Sequence, residues 1–312
     1  MRQTMTIETT GRKLPQTAFS GVLALLIGLL ASPALAQEAK PAAAQLSWEE
    51  SMEAALARAK KEDKFVLLDF YTDWCGWCKR LDRDVFAKDD FKKAASQVIG
   101  VKINAEENQA NRALARSFGV SSYPRLFFLD KDGRTLERIK GYVALNEFKT
   151  LVANVQGGNS EFQRLRAAAA DPNNLQAIHS FASFLTETRQ TEESIGYWQQ
   201  VHDIALEKLF AAPEATSHQY FHRRSLLNLG QALAAVGLAD VGKQNLTDVT
   251  LSYSGTNEAA DAHLALAEIA LAAGNAAEAE AQLKTLSTEY PRSRANRSSA
   301  LLRRKMRSGG AQ

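Results

Sequence analysis

The only two cysteines of this 312-residue chain lie within Trp74-Cys75-Gly76-Trp77-Cys78-Lys79. Four chemistries use cysteines at that spacing, and each makes its own further demand. A structural zinc site needs four ligands, but there is no second cysteine pair and the five histidines (179, 202, 218, 222 and 263) all lie far downstream. A c-type haem attachment needs histidine directly after the second cysteine, where Lys79 stands. A purely structural disulfide would close a very short loop, where the chain-entropy gain is smallest. A pair cycling between dithiol and disulfide meets no such obstacle. Its sulfurs carry the electrons, so it calls for neither metal nor bound cofactor.

The flanking residues say how such a pair is activated. KFVLLDF, Lys64 to Phe70, is an apolar run of strand length, and CGWCKRLDRDVF places Leu81, Val85 and Phe86 at helical spacing behind the cysteines. The pair therefore falls where a strand hands over to a helix. Free N–H groups and the positive end of the helix dipole lower a thiol pKa there, making Cys75 the exposed attacking thiolate. Cys78, one turn further in, is the resolving thiol, which attacks the mixed disulfide and frees the substrate. Trp74, Gly76 and Trp77 form the substrate-facing stretch, an apolar contact for an extended chain, unless one tryptophan, Trp74 first, packs in the core.

Around these residues, the segment from about Leu46 to Val155 resembles the thioredoxin-fold proteins. DFYTDWCGWCK (Asp69 to Lys79), VKIN (Val101 to Asn104) and FGVSSYPRLFFLDKDG (Phe118 to Gly133) carry the resemblance. It implies that Asp69 is a buried carboxylate relaying the proton of Cys78, and that Lys102 lies beside it and tunes it. It further implies a cis Tyr123–Pro124 bond, with Pro124 shaping the substrate groove and Tyr123 offering backbone hydrogen bonds to a substrate strand. Asn104 and Ala105 depart from a pattern that more often has Asp. Arg125 stands where a small hydroxyl residue is common. The fold implied is α/β and thioredoxin-like, a mixed sheet flanked by helices, in a thiol-disulfide oxidoreductase most similar to exported, reducing relatives.

The other elements are read locally. Ser47-Trp48-Glu49-Glu50 has the pattern of a capping box and predicts a helix through about Lys60, with Met52, Ala55, Leu56 and Ala59 as its apolar stripe. Helices are expected over Asn111 to Phe118 and Asn146 to Asn154, and a hairpin turn at Lys131-Asp132-Gly133. Ahead of this region, Arg12 and Lys13 precede the apolar run AFSGVLALLIGLLA and then Ala34-Leu35-Ala36. That predicts a cleavable export signal over residues 1–36, a tether over 37–45 and a periplasmic or secreted mature protein. An uncleaved membrane anchor is the alternative. The first 36 residues carry Arg2, Arg12, Lys13 and Glu8, a net +2, so the formal charge falls from +3 to +1 on their removal. Such a balance gives no reason to expect a nucleic-acid partner.

After the thioredoxin-like domain, assigned to residues 46–155, the polar break Gln156 to Ser160 opens an all-α region over 161–305. Ala260 to Pro291 resembles a tetratricopeptide repeat, with Leu266, Ala267, Gly274-Asn275, Ala279, Leu283, Leu286 and Pro291 at matching offsets. Leu226, Leu229-Gly230, Leu233, Gly237 and Leu246 align a weaker copy, and Ile178, Phe181, Ala182, Leu185, Trp198 and Val201 a fainter one. Stacked helix pairs form a surface for docking proteins, or else a stabilising or dimerising appendage. His218 and His222 share a helix face, but two ligands make a weak metal site. From Arg292 onward the chain carries Arg292, Arg294, Arg297, Arg303, Arg304, Lys305 and Arg307 and no acid, either a solvated basic end on the last helix or a contact for anionic lipid or an acidic partner, and residues 306–312 are expected to be a basic, flexible tail. Together these features predict an exported reductant of protein disulfides. Its substrates would be protein thiols and disulfides, and a membrane or periplasmic protein would recharge it. A redox-responsive scaffold without turnover is the rival.

Overall fold

FVLLDF, VIGV and LFFL are near-continuous apolar runs, and strands apolar on both faces need a cover on each side. The computed structural model describes residues 46–309. The expected export signal and tether lie outside the described residues, as do the last three residues of the tail. Strands β1 (Ser47–Glu49), β2 (Phe65–Tyr71), β3 (Val98–Asn104), β4 (Arg125–Leu129) and β5 (Thr135–Lys140) form one sheet in the order β1-β3-β2-β4-β5. β3 runs parallel to β1 and β2, whereas β4 is antiparallel to β2 and β5, so the sheet is mixed. Val66, Leu68 and Phe70 face a cluster with α1 (Met52–Glu62) and α4 (Gln109–Ser117). Leu67, Leu126 and Phe128 face the opposite one, covered by α2 (Gly76–Leu81) with its π-helical extension Asp82–Phe86, α3 (Asp89–Ala94) and α5 (Leu145–Gln156).

The chain corrects the expected capping box at Ser47. Ser47–Glu49 is a strand paired with Ile99–Val101, and α1 is capped by Ser51, whose Oγ accepts from the Ala54 amide at 3.1 Å. The box residues are used elsewhere, because the Arg58 guanidinium donates to Ser47 Oγ at 2.6 Å and to Glu49 at 2.7 Å. Trp48 lies over Gly100, where a Cβ would come within 2.5 Å of the indole. Pairing across the sheet has overridden a local signal. The predicted stripe of α1 does face the core: Ala55 and Ala59 are buried, and Met52 and Leu56 pack against the same cluster.

Beyond the sheet every element is helical: α6 (Glu161–Ala168), α7 (Leu175–Glu187), α8 (Thr191–Ala211), α9 (Thr216–Ala235), α10 (Ala239–Ser252), α11 (Asn257–Ala272), α12 (Ala276–Glu289), α13 (Arg294–Ser298) and α14 (Ala300–Gly309). Most of the apolar positions picked from periodicity are buried, including Ile178, Phe181, Leu185, Trp198 and Val201, and later Leu266, Ala279, Leu283 and Leu286, whereas Leu233 is half-buried and Pro291 exposed. α9 and α10 pack tightly at two glycines, where a Cβ on Gly242 would stand 2.5 Å from the Gly230 carbonyl oxygen. His222 Nδ1 contacts the Tyr253 hydroxyl at 2.6 Å, and its ring stacks on His202 at 4.9 Å, so it is engaged within the helix array. α14 runs through Gly309, into the stretch expected to be a flexible tail, and Arg303 donates to the Leu283 carbonyl at 2.7 Å.

One apolar cluster continues from the sheet through Phe148 and Val155 of α5 to Phe162, Phe181 and Trp198. Arg138 of β5 reinforces this joint, with Nε donating to Glu161 of α6 at 3.0 Å and Nη1 to Glu187 of α7 at 2.5 Å. Among the described residues, no helix is long and apolar enough to cross a membrane.

Candidate active site

Cys75 and Cys78 are joined as a disulfide, with Cα atoms 5.3 Å apart. β2 ends at Tyr71, and Cys75 is the N-cap of α2, its Sγ accepting from the Cys78 amide at 3.1 Å. The Cys78 amide therefore points at the Cys75 sulfur at the start of the helix, the arrangement that stabilises a thiolate once the disulfide opens. In this disulfide form Cys75 is 4% exposed and Cys78 2%, so the greater exposure expected of Cys75 at the helix N-terminus is not marked in it. Gly76 opens α2, and a Cβ there would meet nothing within 4 Å, so crowding does not dictate glycine.

The tryptophans form a rim. Trp74 is 67% exposed and Trp77 55%, so neither is a core residue. Trp74 is held edge-on to Tyr123 at 5.9 Å, while its Nε1 donates to Glu106 at 2.9 Å. Trp77 lies 5.7 Å from Tyr142, and the Arg80 guanidinium sits over both rings. Tyr123–Pro124 is a cis peptide, and the Pro124 carbonyl accepts from the Gly141 amide at 2.9 Å. The structure thus gathers Trp74 and Tyr123 on one side of the disulfide stretch and places Trp77 against Tyr142.

Behind α2 lies a charged cluster in an apolar setting. Asp69 of β2 is 1% exposed and shares its sheet face with Leu67, toward the cluster that includes Leu81 and Val85. Lys102 Nζ donates to Asp69 Oδ2 at 2.7 Å and to Asp82 Oδ1 at 2.5 Å, amid the rings of Trp48, Tyr71 and Phe86. Burial pushes the Asp69 pKa above the ordinary carboxylate range, with the Lys102 charge pulling the other way. Burial also opposes the charge on Lys102, but the two carboxylates outweigh it and its pKa is raised. Asp69 Oδ1 accepts no hydrogen bond among the described residues, so one carboxylate oxygen is left for a proton.

Asp82 was not among the residues singled out from sequence. Its signal was its place four residues after Cys78, the same helix face one turn on. Tyr142 and Glu106 had no local signal, since they meet the tryptophans only through the fold.

Lys102→Met should leave Asp69 and Asp82 without their shared cation. Part of the Lys102 side chain is exposed, so the expected loss of stability is about 2 kcal/mol, below that for a fully buried pair. The Asp69 pKa rises further, moving the pH profile of thiol-disulfide exchange to higher pH. Urea denaturation and a rate profile from pH 6 to 9 check both effects.

A thioredoxin-like domain family matches residues 52–156. The chain is 31% identical over 138 residues to the disulfide bond reductase DsbH of Chlamydia pneumoniae, covering 82% of that protein and 39% of its own length. The chain belongs to the thioredoxin-like thiol-disulfide oxidoreductases. It is also 35% identical over 96 residues to thiol:disulfide interchange protein DsbD 2 of Pseudomonas aeruginosa, a match covering 30% of this chain and 16% of that protein. The chain thus spans less than a fifth of the DsbD relatives it matches. A solved DsbH oxidoreductase superposes with a TM-score of 0.32 at 28% identity, over 41% of this chain and 95% of that one. The matched family segment takes in the cysteine pair, Asp69, Lys102 and Pro124 of this thioredoxin-like chain.

Proposed function

We propose that this chain is an exported reductant of protein disulfides. Residues 46–155 carry the chemistry, and the tetratricopeptide-like region over 161–305 docks partner proteins. The observation that carries the reading is the Cys75–Cys78 disulfide capping α2, backed by the Asp69–Lys102 pair. In the reducing direction, the Cys75 thiolate attacks a substrate sulfur, forms a mixed disulfide and displaces one substrate thiolate. The Cys78 thiolate then attacks Cys75 Sγ, and the second substrate thiol leaves. Two electrons pass to the substrate and the pair ends oxidised, so a membrane or periplasmic dithiol protein must reduce it again. Asp69 takes the Cys78 proton, Lys102 tunes that carboxylate, and Trp74, Gly76, Trp77, Tyr123 and Pro124 receive the substrate chain. The reducing direction draws support from the name of the Chlamydia pneumoniae relative, and export from the charged and apolar pattern of residues 1–36.

The reduction potential of the pair, from equilibration in glutathione buffers with trapping of free thiols, tests this reading. A value at or below about −220 mV is expected for a reductant, whereas one near about −120 mV would make the protein an oxidant. Failure to exchange with glutathione or dithiothreitol would favour the scaffold.

A further inference from the structure

Three arginines meet in a cleft between the redox sheet and the helix array. Arg125 at the start of β4, Arg189 just after α7 and Arg294 at the start of α13 line a cavity of about 480 Å3, together with Phe118, Thr186 and Glu187. They come from parts of the chain up to 169 residues apart, brought together only by the fold. Among the described residues, none of the three guanidiniums has a side-chain hydrogen bond or an ion pair. Arg125 rests on the Phe127 ring at 5.1 Å. The one acid of the cleft, Glu187, is already engaged by Arg138 at 2.5 Å, and Arg138 also holds Glu161. On its other side Arg294 borders a second cavity that holds Asp261 and Glu268; neither lies within ion-pair distance, though the Arg294 charge draws the Asp261 pKa down against the effect of burial.

Arg125 is half-buried, whereas Arg189 and Arg294 are exposed; a half-buried cation with no directly paired carboxylate is unfavourable unless something supplies the anion. Burial, then the neighbouring Arg138 charge, pulls the Arg125 pKa below its ordinary value, with the Glu187 and Glu161 charges pulling more weakly the other way. Planar guanidiniums match carboxylates in paired hydrogen bonds, and three cations around one cleft would take an acidic stretch of chain. The place also matters. Arg125 follows Pro124 directly, so one of the cleft's three arginines adjoins in sequence the cis-proline segment proposed to hold a substrate strand.

We infer that this cleft binds a carboxylate-rich segment of the polypeptide whose cysteines the Cys75–Cys78 pair exchanges with, making acidic proteins the substrate class. This rests on the oxidoreductase reading above. The probe is a cysteine-free fluorescent peptide carrying four aspartates, titrated against the full chain by anisotropy at low salt, beside its asparagine counterpart. The aspartate peptide should bind more tightly, and Arg189→Gln with Arg294→Gln should weaken it about tenfold. Equal affinity for the two peptides, or no change in the double variant, would overturn the site.

A second arm uses the same two sequences built around a disulfide. kcat/KM should favour the aspartate form about tenfold, and the double variant should lose that preference while reducing the asparagine form at the wild-type rate. Exchange without preference overturns the cleft alone. Binding without exchange on either disulfide overturns the substrate assignment together with the oxidoreductase reading.

Discussion

Cys75→Ser is expected to lower the rate of exchange with a protein disulfide by at least about 1,000-fold, because the variant has no nucleophilic sulfur at the mouth of α2. Serine is among the best N-caps, so the hydroxyl can take over the bond that the Cys75 sulfur accepts from the Cys78 amide. The helix should survive, and the lost rate then reports chemistry and not unfolding. Cys78→Ser should behave differently. Cys75 still attacks, but no thiol remains to release the substrate, so a covalent one-to-one adduct should accumulate and be visible by mass spectrometry. Both cysteines are buried in the disulfide form, so exposure does not assign the roles; position at the cap does. Were Cys75→Ser to trap the adduct and Cys78→Ser to leave none, the order of attack would be reversed.

Local chemistry and resemblance made much of this site legible before any coordinates. The cysteine pair announces itself, and the apolar run before it and the helical spacing after it put it at a strand-to-helix junction. Asp69, Lys102 and the cis Tyr123–Pro124 bond came from resemblance, since neither burial nor peptide isomer can be read from a few neighbouring residues. The failures share a cause. Ser47 had good helix-cap chemistry, but a short edge strand gains more by pairing with β3, and Arg58 takes the side chains a capping box would use. For Trp74 the local sequence left rim and core both open, and only Glu106 and Tyr123, distant in sequence, hold it at the surface. The Arg125, Arg189 and Arg294 cleft could not be foreseen at all, because it exists only where the helix array returns beside the sheet.

Asp69→Asn tests the interior of the site on two independent axes. If Asp69 accepts the proton of Cys78, an amide there should slow exchange about 100-fold at pH 7, within the range of general-base effects. The deficit should shrink toward pH 9, because an ordinary thiol near pKa 8.5 ionises there without help. Stability should move the other way. The folded-state pKa of Asp69 lies above its unfolded value near 4, so between the two the native state holds more protons than the unfolded state. Stability of the natural protein therefore falls as pH rises through that window, and asparagine, which has no charge to bury, escapes the fall. The variant should gain about 1–3 kcal/mol by urea denaturation at pH 8, less near pH 4, with Lys102 still paired to Asp82. A variant that is slower and less stable at pH 8 would mean that the ion pair with Lys102 outweighs the burial of the carboxylate. A slower but more stable one identifies Asp69 as a group kept against its own solvation for the sake of the proton it moves.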